Sequence, residues 1–309
     1  MAPALSDFQP QPAPKATEAA QAAIGDGLVA EAQTFAGELA VWRHDLHQVP
    51  ELGNNLPQTS AYIQARLTEM DIPFATLVDG SCVVGLVGAG AAAAAQGNGT
   101  CTDEQAGTVI MLRGDMDALP VAEESGESFA STNGCMHACG HDMHATALLG
   151  AARLLKAREA ELVEANATVK LLFQPGEETF EGARAAIADG LLANPRPQAA
   201  FAMHVNSQSP LGLVLYGSPA LSGVYGFRIT LQGKGGHGSS PEICIDPITA
   251  GVHVHLALQE LISREVPAAK EVALTVGKFA GGLAANVIPD TCVLEGTLRG
   301  FDVELMAQL

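Results

Sequence analysis

The stretch TVIMLRGDMD, residues 108–117, decides the fold. Val109 to Leu112 form an unbroken apolar run, which a strand buried on both faces requires. The run passes without a turn signal into Arg113-Gly114-Asp115-Met116-Asp117. Two later runs repeat the design. Lys170 to Phe173 lead into Gln174-Pro175-Gly176-Glu177-Glu178, and Ala200 to Met203 lead into His204. In open parallel sheets, ligands bind outside the carboxyl ends of the strands. The three runs therefore bring carboxylates and an imidazole to one rim.

Working outward, the segment Met136 to His144, MHACGHDMH, leads into a helix over Ala145 to Lys156. Phe35, Leu39, Trp42 and Leu46 recur with a helical period that Pro50-Glu51-Leu52-Gly53 ends. Thr59 to Met70 reads as a second amphipathic helix and Ser81 to Val87 as a strand. The Ala/Gly-rich segment Gly88 to Gly107 reads as a surface loop. Strands alternating with helices predict an α/β fold, a mostly parallel sheet with helices on both faces. Residues 1–35 read as a tail and 36–216 as the larger domain, which carries that rim.

The pattern changes near Gly217. Strands at Tyr225–Gln232, Glu271–Phe279 and Thr291–Arg299, a helix at Asp246–Glu265 and another from Asp302 give β-α-β-β-α. That is a ferredoxin-like order without its last strand, a smaller α+β domain over 217–309.

Bulk properties narrow the function. A length of 309 residues suits two domains, and 48% hydrophobic residues suffice for a core. A net charge of −18 repels phosphate backbones and argues against nucleic acid as a partner; solubility is its plainest meaning. No uninterrupted apolar run reaches the ~18 residues of a membrane span. The first residues have neither the basic nor the apolar segment of a signal peptide. Six scattered cysteines point to a reducing, cytoplasmic compartment.

A thiol, imidazoles and carboxylates on one rim point to a divalent-metal site. Each residue alone has a plainer explanation. Asp115 and Asp117 could cap a turn, Glu177 and Glu178 could begin a helix, and Cys139 and His204 could simply be packed. Their gathering at one rim is what those explanations leave out. Cys139 lacks the second cysteine pair of a zinc ribbon. His141 stands only two residues from it, poor spacing for the base of a cysteine nucleophile.

Arg43-His44-Asp45-Leu46-His47, Pro50-Glu51-Leu52-Gly53 and Arg113 to Pro120 resemble the hippurate hydrolase and auxin-conjugate hydrolase branch of the dinuclear aminoacylase/carboxypeptidase superfamily. So do Met136 to His144, Phe173 to Glu178, Gly235-Gly236-His237-Gly238, Asn286-Val287-Ile288-Pro289 and Thr297-Leu298-Arg299. The resemblance runs from about Phe35 to the end. It implies two divalent ions, zinc or manganese, bridged by Cys139 and held by His141, Glu178 and His204, with Asp115 behind the ligands. It implies Glu177 as general base and acid, His237 as a catalytic residue reaching a partner's site, and Asn286 and Arg299 as substrate contacts. The smaller domain is expected to act as a lid that forms a homodimer. The activity implied is hydrolysis of N-acyl amino acids or related small amides. The family carries a further ligand histidine after the lid. Nothing follows Leu309, so the chain is expected to lack that ligand, the last lid strand and the closing part of the catalytic domain. The alternative expectation is a homologue that binds without turnover. Glu242, and Asn54 to Pro57, also depart from the branch pattern.

Overall fold

The computed structural model describes residues 18–309 except 98, 100 and 215–220. Two compact units divide at residues 209 and 210. Residues 1–17 of the expected tail, and Gly217, lie outside the described residues.

In the first unit the chain runs through helices α1 (Glu18–Thr34), α2 (Ala36–His47) and α3 (Pro57–Glu69), strands β1 (Phe74–Leu77) and β2 (Cys82–Gly88), then α4 (Ala89–Gln96) and α5 (Asp103–Ala106). Strand β3 (Thr108–Asp115), helices α6 (His141–Lys156) and α7 (Glu159–Glu164), strand β4 (Ala167–Gln174), helix α8 (Gly182–Ala188) and strand β5 (Ala199–Ala202) complete it.

The sheet order is β1-β2-β4-β3-β5. Strand β4 pairs parallel with β3, and β3 parallel with β5. Strand β2 is antiparallel to both β1 and β4, so β2 alone runs against the other four. The sheet is mostly parallel in direction, as the apolar runs require.

Alternation along the strands divides the core between two faces. Val83, Val87, Val169, Leu171 and Phe173 pack with Trp42 and Leu46 of α2, Ile63 and Leu67 of α3, and Leu148 and Leu149 of α6. Cys82, Val84, Met111 and Leu172 face the other way, onto Ala186 of α8 and Leu191. Lys170 is buried on that second face, and its ammonium donates to the carbonyls of Leu191, Ala193 and Pro195 at 2.6, 3.1 and 3.0 Å.

Two segments differ from their expected form. The Ala/Gly-rich segment is not an open loop: it holds α4 and α5. Alanine is the strongest helix former, and small side chains let α4 lie close to β2. Gly90 sits there with its N–H donating to Thr168 Oγ1 at 2.8 Å. Within the expected tail, residues 18–34 form α1, again alanine-rich, with Glu31 bonded to Arg158 at 2.5 Å.

The second unit contains β6 (Gly223–Gln232), β7 (Gly236–His237), α9 (Pro247–Arg264), β8 (Val272–Gly281), β9 (Val287–Ile288), β10 (Thr291–Gly300) and α10 (Val303–Gln308). Its main sheet is antiparallel throughout, ordered β6-β10-β8. In sequence order this is first-third-second, matching the β-α-β-β-α reading. Helix α9 covers one face, with Gly251 close to Phe279 and Cys292. The other face is polar, where Glu295 pairs with Arg228 and Lys278 on its two neighbours. A separate two-stranded sheet joins β7 to β9.

Candidate metal centre

Strand register positions the site. Parallel pairing sets Asp115 opposite Gln174, and Arg113 opposite Ala202. His204, two residues past Ala202, thus falls at the level of Asp115. The third component arrives through Gly140, which holds φ +82° and precedes α6. A Cβ there would lie 2.5 Å from Val205 Cγ2, so only glycine lets the two segments meet. Helix α6 starts at His141, four residues earlier than its hydrophobic period suggests, and places His141 and His144 on its first turn.

His141 is the centre. It is fully buried, and both ring nitrogens lack a hydrogen-bond partner. Its Nε2 lies 3.6 Å from Asp115 Oδ2, 3.8 Å from Glu177 Oε2 and 3.7 Å from Glu178 Oε1. One ligand atom from each of Cys139, His141 and His204 lie within 4.8 Å of one another, and so do those of His141, Glu177 and Glu178. The Cys139 Sγ to His204 Nε2 distance is 3.5 Å. His204 Nδ1 donates to the Val205 carbonyl at 2.7 Å, which leaves the Nε2 lone pair facing the thiol.

The electrostatics are unbalanced toward negative charge. Burial, then Glu178, Glu177 and Asp115, push the Cys139 thiol up to about 12. Burial also raises the Glu177 carboxyl; His141 opposes it, while Asp115 and Glu178 add to it. Burial alone would lower the His141 ring, yet Asp117, Asp115 and Glu178 hold it above its ordinary value. Asp115 is buried too, but its bond from His144 and the charge of Arg113 bring it down to about 2. A buried imidazole with no partner, a Glu178 oxygen likewise unpartnered, and a thiol among carboxylates suit a divalent cation.

Asp117 does more than cap its own turn. Its Oδ1 accepts the Glu177 N–H at 2.9 Å and its Oδ2 the Glu178 N–H at 3.0 Å. The signal was its spacing: residues two apart on an extended chain share a side, so Asp117 belongs with Asp115. Glu177 and Glu178 lie in a turn that Gly176, at φ +62°, begins.

The remaining sequence-predicted residues belong to the second unit. His237 pairs with Val287 across β7 and β9, and Gly238 N–H donates to the Asn286 carbonyl at 2.8 Å. His237 and Asn286 are thus neighbours, both exposed. His237 Nδ1 accepts the Ser239 N–H at 3.2 Å, so a neutral ring carries its proton on Nε2. Arg299 is exposed on β10, between Val224 and Ala273, on the polar sheet face. Among the described residues, no helix is long and apolar enough to cross a membrane.

The chain is similar to known proteins in sequence and in fold. Residues 111–293 match Peptidase family M20/M25/M40. The chain is 41% identical over 269 residues to "IAA-amino acid hydrolase ILR1-like 4" of Arabidopsis thaliana, covering 86% of this chain and 57% of that protein. It is 33% identical over 282 residues to the hippurate hydrolase of Campylobacter jejuni, covering 90% and 68%. A crystal structure of a Bacillus subtilis dinuclear metal binding peptidase from the M20 family superposes with a TM-score of 0.65 at 32% identity, covering 89% of this chain and 67% of that one. The chain thus spans little more than half the length of the plant relative. The matched region takes in more than half of the chain and every rim residue from Asp115 to His204, and the chain belongs to Peptidase family M20/M25/M40.

Proposed function

We propose that the chain carries a two-metal site for hydrolysing the amide bond of N-acyl amino acids or related small amides. The observation that carries this reading is the convergence of Cys139, His204, Glu177 and Glu178 on one buried, unpartnered imidazole, His141. The hippurate hydrolase and IAA-amino acid hydrolase relatives support the substrate class, and the dinuclear relative supports two ions.

Cys139, His141, Glu178 and His204 would hold the ions. Thiolate and imidazole donors favour zinc, and manganese is the alternative. When bound, the ions supply Lewis-acid chemistry and make water acidic enough to attack at neutral pH. Asp115 would lie behind the ligands, holding Arg113 and His144. Glu177 takes a proton from the attacking water and delivers it to the leaving amine nitrogen. Its raised carboxyl suits a group that must both accept and return a proton. His237 offers an Nε2–H to the carbonyl oxygen, from a second copy in a homodimer formed through the second unit acting as a lid. Asn286 and Arg299 hold the carboxylate of the amino acid half. The cytoplasm is the proposed compartment.

The test is amine release from hippurate and a panel of N-acetyl amino acids, before and after chelation and with zinc or manganese restored. Release that stops on chelation and returns with metal is expected. Metal binding with no release from any substrate would leave a binding protein instead.

A further inference from the structure

His144 lies one helical turn beyond His141 on α6 and is buried. Its nitrogen atoms lie close enough to Asp115 and His141 to join a metal-binding group. The hydrogen bonds give it another part. A carboxylate can only accept, so the 2.6 Å contact from His144 Nδ1 to Asp115 Oδ1 places the proton on Nδ1. A backbone amide can only donate, so the 2.9 Å contact from the Val205 N–H places the lone pair of Nε2 against that amide. Both nitrogens are committed, and one neutral tautomer satisfies both bonds.

Val205 follows His204, and its carbonyl accepts the His204 Nδ1–H at 2.7 Å. The Val205 N–H is therefore held by His144 while its carbonyl orients the His204 ring. The two rings lie 4.6 Å apart, edge to face. This bond falls where the sheet no longer guides the chain. Strand β5 pairs with β3 only as far as Ala202, and all four of its residues are exposed. A line of hydrogen bonds thus runs from the buried Asp115 and His144 through half-buried Val205 to exposed His204, whose Nε2 faces the Cys139 thiol.

We propose that His144 is a positioning residue that fixes the place and tautomer of His204, and through them the affinity of the metal position His204 serves. The inference rests on the reading of His204 as a ligand.

Two substitutions separate the two bonds. His144→Gln keeps an acceptor near the Nε2 position, and His144→Asn keeps a donor near Nδ1 without that acceptor. Zinc affinity is measured by competition with a chromogenic chelator, and hydrogen exchange of the Val205 amide in metal-free protein, on the full chain. His144→Gln should stay within about threefold of wild type, while His144→Asn should lose about 10–100-fold in zinc affinity, the range for groups behind metal ligands. The Val205 amide should exchange faster in His144→Asn only. Wild-type affinity in His144→Asn, or equal losses in both variants, would overturn the inference, the second by making the role one of packing. A loss in His144→Gln matching that of His204→Ala would also overturn it, by making His144 a ligand. His204→Ala separates the two levels. If it binds zinc like wild type, the ligand reading fails and this inference with it. If it loses affinity while His144→Asn does not, the inference alone fails.

Discussion

Asp117 holds the Glu177 backbone N–H on its Oδ1 at 2.9 Å, and its second oxygen holds the next residue's N–H at 3.0 Å. One carboxylate on the chain leaving β3 thereby fixes the turn beyond β4 that carries both glutamates.

Removing that carboxylate should release the turn. A hydrogen bond to a charged group contributes about 1.5–3 kcal/mol. Asp117→Ala should lower metal affinity by about 10–100-fold while the far-ultraviolet circular dichroism stays native. Asp117→Asn, which keeps one acceptor oxygen, should fall between. Unchanged affinity in Asp117→Ala would show that the turn holds itself.

The adjacent glutamates should divide their roles. Glu177→Gln should retain metal and lose about 10²–10⁴-fold in kcat, the span of general acid–base catalysis. Glu178→Gln should lose metal instead. Metal analysis by atomic emission beside steady-state kinetics decides, and the reverse order of effects would mean that the roles are exchanged.

Much of this was legible in the sequence. The runs at Val109 and Lys170 declare β3 and β4 because strands buried on both faces need continuous apolar residues; the run at Ala200 marks β5 too, but at the end of the sheet order and with all four residues exposed. Their polar ends mark the rim for the same reason. Strand β1 was missed because Phe74 to Leu77 form a short, partly exposed edge without such a run. Helix α4 was hidden because alanine and glycine carry no amphipathic period to read. The roles of Asp117 and His144 were illegible for a different reason. Asp117 is bonded by the backbone amides of Glu177 and Glu178, and His144 reaches His204 only through the amide of Val205; a main-chain donor leaves no mark in a sequence.

Glu123 should make folding acid-sensitive. Its carboxylate accepts from Ser125 Oγ at 2.5 Å and the Ser131 N–H at 2.6 Å, and meets His47 Nε2 at 3.1 Å. Burial would raise this carboxyl, but those contacts hold it at about 2, against an ordinary 4.5. The folded-state value is depressed, so the stabilisation is present above pH ~4.5 and is lost as pH falls toward ~2. Thermal unfolding of wild type and Glu123→Gln should differ most above pH ~4.5 and converge below it. A gap independent of pH would contradict the assignment.

Lys170 should be structural. Its ammonium satisfies three carbonyls in a buried setting, and Lys170→Met would leave them unpaired. Unsatisfied buried acceptors cost about 1–3 kcal/mol each. Denaturant titration should show a loss of at least about 3 kcal/mol without a change in metal affinity. A smaller loss would mean that water reaches the carbonyls.

Cys139 and His141 are proposed to organise a two-metal site. Anomalous diffraction from crystals grown with zinc tests it most directly. Two peaks are expected among Cys139, His141, Glu178 and His204, with a Cys139 sulfur–zinc distance of about 2.3 Å. Peaks placed elsewhere, or none near Cys139 at saturating zinc, would contradict the account.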